Sequence, residues 1–563
     1  MQALLVFENL AWKFAMTELI TVSLDALTGP EFWALLVAIA VLPRVVLLLL
    51  QGREASDQWQ HMLYANEFCG AGLTNLGREL TRFTPKAIFN YPPALQFLIE
   101  RLGEKFVSKY AAVVNVALLC LEAVVIIYVW SGIDPLTRPA LIISAACLGM
   151  FPFYVMPISG ALSVSGRLPG ALLSNLYFLI ACSALPIVEK CFLAVPVIIS
   201  AVFISKFSIQ SIFIISLLSA AYSLNVDFIL MLMPATAIAL SWKASRKILI
   251  GSYSHTVFYA KILQYIHVAT VLRNKSFLSV LSSGSAIRPK ELLKSIYHVP
   301  VIRVFCYFPA LFFVFLYLIS NSSEEWVDEN NSVEAVLASS IIAAFLFSVR
   351  HLKFLGEADR YATFTSVLTA FSCLPLLVTS ELGYGIALLI ITSATWIALG
   401  AALKQKIGSN SSVNQKVRSD SGDNGLLISS VEGSLTDLAS ETDQEPYLMA
   451  VPQNLCEKIA VFFPDHRIIG LSGNQMVSAE TTEYTRVLYE NSCYPYPVNV
   501  QAYADLLKHP ILMIIERQYL EPEYLRRSGL SGLIGAYYDS LDATDVSHRY
   551  SLVTFQPNNY SNV

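Results

Sequence analysis

Long apolar runs separated by short polar ones recur from Glu31 to Leu403, and nothing else in this chain constrains its fold as strongly. In hydrocarbon every backbone N–H and C=O must find an internal partner, so an apolar run of roughly 20 residues becomes a membrane-spanning helix. Candidate spans are Glu31–Leu50, Tyr110–Trp130, Pro139–Ile158, Leu168–Leu185, Cys191–Ser205, Ser208–Leu224 and Val226–Trp242, followed by Val301–Ile319, Val333–Val349, Thr363–Thr379 and Leu382–Leu403. The stretch Cys191–Trp242 holds either three spans with almost no loops, or two spans and a broken or re-entrant helix, which survives only when protein buries it. The chain reads as a polytopic α-helical membrane protein with about 11 transmembrane helices and a small C-terminal α/β soluble domain.

Composition agrees with this reading. Of 563 residues 55% are hydrophobic and 14% charged, where a soluble domain carries about 25% charged residues. A net charge of −4 argues against a nucleic-acid partner. Nine cysteines are scattered without a CxxC pair, so neither a zinc site nor a disulfide framework is implied.

The polar segments divide the chain further. Residues 1–30 mix apolar positions with Glu8, Lys13, Glu18 and Asp25 and lack the basic start of a signal peptide, which suggests an amphipathic helix. Residues 31–403 form the membrane domain, with a long first loop, 51–109, and a basic loop, 243–300, whose only acid is Glu291. Residues 404–445, rich in Ser, Asn, Asp and Gly, have the composition of a flexible linker. In 446–563 the pattern predicts helices over Asn454–Phe463 and Val498–Lys508 and strands over Arg467–Leu471, Ile511–Glu516 and Tyr550–Phe555. Gly470–Asn474 follows a strand but lacks the glycine spacing of a nucleotide-binding loop, and reads as a turn.

Candidate chemistry clusters at the membrane edge, where charged residues are functional suspects. On a helix Glu54, Asp57, His61 and Tyr64 fall at i, i+3, i+7 and i+10 and form one stripe. Asp57 or Glu54 at a low-dielectric edge can act as a general base, and Asp57 with His61 can share a divalent cation. The same stripe also suits a solvated helix face. The Pro pair in Phe89-Asn-Tyr91-Pro-Pro-Ala-Leu-Gln-Phe97 marks the start of a helix reaching Phe106. Arg350, His351, Lys353 and Arg360 precede a late apolar run; they suit phosphate binding or positive-inside anchoring. Lys206 and Arg167 lie between apolar runs and either snorkel to the interface or serve a site.

The acidic motif after the first span (Ser56-Asp57-Gln-Trp-Gln-His61), the Tyr-Pro-Pro segment closing that loop, and Leu355-Gly-Glu357-Ala-Asp-Arg360-Tyr361 before a late span resemble, in that order, the GT-C superfamily of membrane glycosyltransferases. The resemblance covers about Phe32 to Leu403. It implies an inverting transfer of sugar from a polyprenyl-phosphate carrier to a lipid, glycan or protein acceptor in cell-envelope glycan biosynthesis. It makes Asp57 the base, assisted by Glu54 and His61, which with Asp57 would hold Mg or Mn in a metal-dependent member. Arg360, Lys353, His351 and Lys206 would hold the lipid phosphate, and Tyr64, Tyr91, Arg167, Glu357 and Tyr361 would line the substrate cavity. The first loop and the C-terminal domain are expected outside the cell membrane. A transporter or flippase for a lipid-linked substrate would place charges similarly, but usually carries an internal repeat, and none is visible. A noncatalytic membrane subunit would leave Asp57 incidental.

Overall fold

The computed structural model describes residues 30–51, 56–67, 73, 76–80, 82–84, 87–88, 91–131, 145, 166–258, 260, 304, 311–312, 314–316, 327–348, 352, 355, 358–370, 413–451, 455–469, 497–517, 520 and 542–558. The expected N-terminal helix and the span 382–403 lie outside them, as do most of the spans 139–158 and 301–319.

The first apolar run forms α1 (Pro30–Gln51), and the acidic motif forms a helix of its own, α2 (Ser56–Glu67). Three two-residue strands follow, β1 (Glu79–Leu80), β2 (Phe83–Thr84) and β3 (Ala87–Ile88), with β1 and β3 antiparallel. The Pro pair does start a helix, α3 (Ala94–Leu102), with Pro93 at its N-cap. It ends before Phe106, because Gly103 adopts φ +83°, a left-handed value that glycine tolerates without strain. From there α4 (Glu104–Ser131) enters the apolar region.

From Arg167 the chain forms α5 (Arg167–Cys182), α6 (Ile187–Ile204), α7 (Lys206–Ser223), α8 (Asp227–Leu230), α9 (Leu232–Ser241) and α10 (Lys243–Phe258), with α6 to α9 taking up the crowded stretch. Among the described residues α6 and α7 are long and apolar enough to cross a membrane, which makes this a membrane protein. The third run, Val226–Trp242, ends in a sharp bend: Asp227–Ser241 meets Lys243–Ser254 at 104°. The break falls at Trp242, whose ψ of 116° leaves the helical range. Ser245, buried, donates from Oγ to the carbonyls of Ala239 (2.5 Å) and Trp242 (3.1 Å) and so satisfies groups the break exposes.

Helices here pack through small and hydroxyl residues, which let backbones approach. Ser174 and Ser208 join α5 to α7 at 2.7 Å. Ser219 of α7 donates to Ser339 (3.1 Å) on α11 (Val327–Leu346). Asn175 is buried on α5, donates to Thr363 O (3.2 Å) and accepts from the Val367 backbone N–H (3.0 Å). It thereby pins the segment that begins as α12 (Ala358–Thr363).

The proposed linker is helical over α13 (Val413–Thr442). Leu427, Val431, Leu435 and Leu438 form a stripe spaced 4, 4 and 3 and are buried against the tail domain. That stripe outweighs the polar composition, since packing of one apolar face supplies most helix stability. The tail adds β4 (Tyr447–Val451), α14 (Leu455–Phe462), β5 (Ile468–Ile469), α15 (Pro497–Leu507), β6 (Ile511–Glu516), β7 (Thr544–Asp545) and β8 (Tyr550–Phe555). The expected tail helices and strands are all present within two residues at each end, with Gly470 and Leu471 of the expected strand outside the described residues; β4 and β7 are additional. Both faces of the sheet are covered. Leu448, Ala450, Leu512 and Ile514 share a core with α13 and α14, while Met449, Val451, Met513 and Ile515 face α15. Every residue of β4 and β6 is therefore buried, the pattern of central strands in an α/β domain.

The tail sheet is not self-contained. Its strand order is β2-β5-β4-β6-β8-β7. The edge strand β2 comes from the first loop and pairs in parallel with β5, Phe83 with Ile468 and Thr84 with Ile469. The two regions thus meet through one shared sheet.

Candidate functional site

Helix α2 is buried from Gln60 to Ala65, so its His61 and Tyr64 do not face solvent. His61 is 2% and Tyr64 1% exposed. Asp57 sits in the first turn, four residues before His61. Glu54, His351, Lys353 and Glu357 lie outside the described residues.

The Tyr-Pro-Pro segment wraps His61. The Tyr91 ring meets the His61 ring edge-on at 5.6 Å and lies 6.0 Å from that of Tyr64. Gln96 on α3 is buried beside His61. With its amide oriented to satisfy both ends, Oε1 accepts from His61 Nδ1 (3.1 Å) and Nε2 donates to the carbonyls of Pro92 (2.9 Å) and Pro93 (3.0 Å). A proton on Nδ1 leaves the imidazole lone pair on Nε2, the tautomer that can take a proton or ligate a metal. Among the described residues no three His, Cys, Asp or Glu side chains gather to hold a metal.

The back of α2 is held by the tail. Trp59 packs edge-on against Phe462 at 5.4 Å, and Lys458 Nζ lies 5.3 Å over the Trp59 ring. Arg82, next to β2, ion-pairs with Glu67 at the end of α2. The same guanidinium donates to Ala460 O (2.8 Å), Phe463 O (3.2 Å) and His466 O (3.4 Å). These carbonyls lie at and just beyond the C-terminus of α14, where a helix leaves acceptors without internal donors and where a cation is favoured. One planar fork thus joins the first-loop helix α2 to the tail helix α14.

A second group forms at the start of α7. Lys206 Nζ lies 4.9 Å from the centre of the Phe207 ring, and Arg360 Cζ lies 4.3 Å from the same ring. Lys206 is buried and occupies the first helical position, with Ser205 as N-cap. The arginine is set by its neighbours: Tyr361 is buried, its hydroxyl donating to Leu355 O (2.6 Å), and Gln210 of α7 donates to that same carbonyl. Tyr361 is therefore packed behind Arg360, and its ring stacks near Phe347 at 4.7 Å.

The two groups share one end of the bundle. A Cβ at Gly166 would stand 2.5 Å from Ile204 O and 3.7 Å from Leu95 Cδ1, so α3, the start of α5 and the end of α6 meet there and only glycine fits. Arg167, half-buried, follows at the first position of α5.

Compared with solved structures, the chain is similar to the Archaeoglobus fulgidus oligosaccharyltransferase in its apo form, at 12% identity and a TM-score of 0.48, over 92% of this chain and 73% of that one. It is also similar to the archaeal oligosaccharyltransferase AglB of Archaeoglobus fulgidus in complex with an inhibitory peptide and a dolichol-phosphate, at 12% identity and a TM-score of 0.45, over 88% and 70%. No family model and no curated protein matches the chain.

Of the residues named from sequence, His61, Tyr64 and Tyr91 meet in one group and Lys206, Arg360 and Tyr361 in the other, while Asp57 lies on the same helix as His61. Sequence reasoning missed Gln96, Arg82, Phe207 and Asn175. Gln96 lay inside the quoted Tyr-Pro-Pro segment, and a polar residue one turn into a helix with buried prolines before it was the available signal. Arg82 carried none, because its carbonyl partners lie 378 to 384 residues away.

Proposed function

We propose that this chain is an integral membrane glycosyltransferase that moves a sugar from a polyprenyl-phosphate carrier to a lipid, glycan or protein acceptor. The observation that carries the reading is the convergence of Lys206 and Arg360 on one aromatic ring. Two cations from distant parts of the chain, at the end of an apolar helix, suit a phosphate whose tail lies in the bilayer. The N-terminus of α7 adds its own dipole to that charge.

In this reading the acceptor hydroxyl attacks the anomeric carbon on the side opposite the carrier phosphate. The new C–O bond forms as the bond to phosphate oxygen breaks, which inverts the centre. Asp57 takes the hydroxyl proton as general base. Lys206 and Arg360 stabilise the negative charge that develops on the departing phosphate. His61, fixed by Gln96 and enclosed by Tyr91, orients the reacting groups beside Asp57. A divalent cation, where used, would be held by Asp57 and His61 Nε2 and would screen the donor phosphate. The contacts among first loop, α10 and tail favour one common side for all three, the extracytoplasmic one in this proposal. The basic loop 243–300 then lies outside, which the positive-inside preference tolerates in long loops.

The test is donor kinetics on purified, reconstituted protein with labelled polyprenyl-phosphate sugars. Arg360→Gln and Lys206→Gln are each expected to lower kcat/KM by about 10²-fold, as loss of a charged contact to phosphate does. Wild-type kcat/KM in both variants overturns the phosphate assignment.

A further inference from the structure

The basic loop is used by none of the chemistry above, and its first helix has an unusual attitude. Helix α10 leaves the preceding apolar segment at 104°. An amphipathic helix that turns this sharply away from an apolar segment has the geometry to lie along the membrane plane. Its inner face is buried: Ala244, Ser245, Ile248 and Gly251 pack on the protein. Its outer face is a single stripe at i, i+3, i+7 and i+10, formed by Lys243, Arg246, Ile250 and Tyr253, all exposed. Ile250 is 54% and Tyr253 70% exposed, and Trp242 at the bend 44%.

The preceding segment also exposes apolar residues, Met233, Ile238 and Leu240. An aromatic–apolar–cation series at the end of a lipid-facing surface is what a bilayer interface selects. Tyr and Trp sit at headgroup depth, and Lys and Arg reach the phosphates while their stems stay in the apolar layer. Lys247, on the same helix, donates to Leu76 O of the first loop, so this helix also carries the loop that leads to the site.

We propose that α10 is an in-plane membrane anchor whose outer face binds the headgroups of anionic phospholipids of the bilayer, with Lys243 and Arg246 as the phosphate contacts and Ile250 and Tyr253 as the immersed residues. This needs only that the chain resides in a membrane, not that it transfers a sugar.

The experiment places the photoreactive amino acid benzoylphenylalanine at Tyr253 in the full chain, reconstituted into vesicles of phosphatidylcholine and phosphatidylglycerol in equal amounts. Mass spectrometry then identifies the adducts. Lipid adducts are expected, with phosphatidylglycerol favoured about 30-fold, the factor for two basic residues at about 1 kcal/mol each near an anionic surface. Lys243→Gln with Arg246→Gln is expected to remove the preference and keep the adducts, while Lys243→Arg with Arg246→Lys retains both. Adducts to protein alone, or none to lipid, overturn the anchor. Equal labelling of both lipids, or a preference that survives the double Gln variant, overturns the anionic headgroup assignment.

Discussion

Replacing Arg82 by Ala removes an ion pair and three carbonyl contacts at once. The side chains of Arg82 and Glu67 are 15% and 20% exposed, so the pair is shielded from most solvent. Each hydrogen bond to a charged group contributes about 1.5–3 kcal/mol, and removing one partner of a buried pair costs about 3–5 kcal/mol. The carbonyls at 2.8 and 3.2 Å are the strong contacts; the one at 3.4 Å adds little. The substitution should therefore weaken the junction between first loop and tail by about 3–5 kcal/mol, a large share of a domain's usual 5–15 kcal/mol. Hydrogen exchange reads this directly, because the Ile468 amide donates to the Arg82 carbonyl at 2.9 Å, across the shared sheet edge. Opening of that edge should become roughly a hundredfold or more easier, and the Ile468 amide should exchange faster by that factor. Amides in β6, at the sheet centre, should change far less. Arg82→Lys keeps the charge without the planar fork and should fall between the two. Unchanged exchange at Ile468 in Arg82→Ala would refute the view that this residue joins the tail to the site.

Gln96→Leu should lower sugar transfer at least tenfold and thermal stability by about 1–3 kcal/mol, because His61 and two proline carbonyls lose a buried partner. Gln96→Glu, which keeps the acceptor for His61 Nδ1, should retain more activity; equal loss in the two variants would remove the positioning role. The backbone N–H of Asn558 donates to Asp505 (2.7 Å) and holds that carboxyl below its ordinary range, helped by Gln501. A depressed folded value means the contact stabilises above the unfolded value of about 4 and is lost as pH falls through the folded one. Acid proteolysis of the segment 556–558 should accordingly rise as pH is lowered below about 4, and Asp505→Asn should abolish that dependence.

How much of this was legible beforehand follows from the range of each interaction. The apolar runs that form α6 and α7, the Pro-initiated start of α3 and most tail elements are local patterns, and these read correctly. The run Cys191–Trp242 left a broken helix open as an alternative, and the sharp bend falls where that run ends, at Trp242, held by tertiary contacts such as Ser245 to Ala239 that no local pattern marks. Helix α13 was misjudged because Ser, Asn, Asp and Gly dominate its composition, although Leu427, Val431, Leu435 and Leu438 already lay on one face. Strand β2 is two residues long and pairs with Ile468–Ile469, so no local pattern marks it. The site divided in the same way. Motif residues on one helix, Asp57 and His61, were readable from spacing. Phe207 gained its meaning only when Lys206 and Arg360 met over its ring.

The most direct test is Asp57→Asn in the full chain, with the transfer of labelled sugar from polyprenyl phosphate measured in reconstituted membranes. Asn preserves size and hydrogen bonding but cannot take the proton. The account predicts a loss of at least 10²-fold in kcat, with the protein's thermal transition unchanged. Transfer at the wild-type rate in the variant would contradict it.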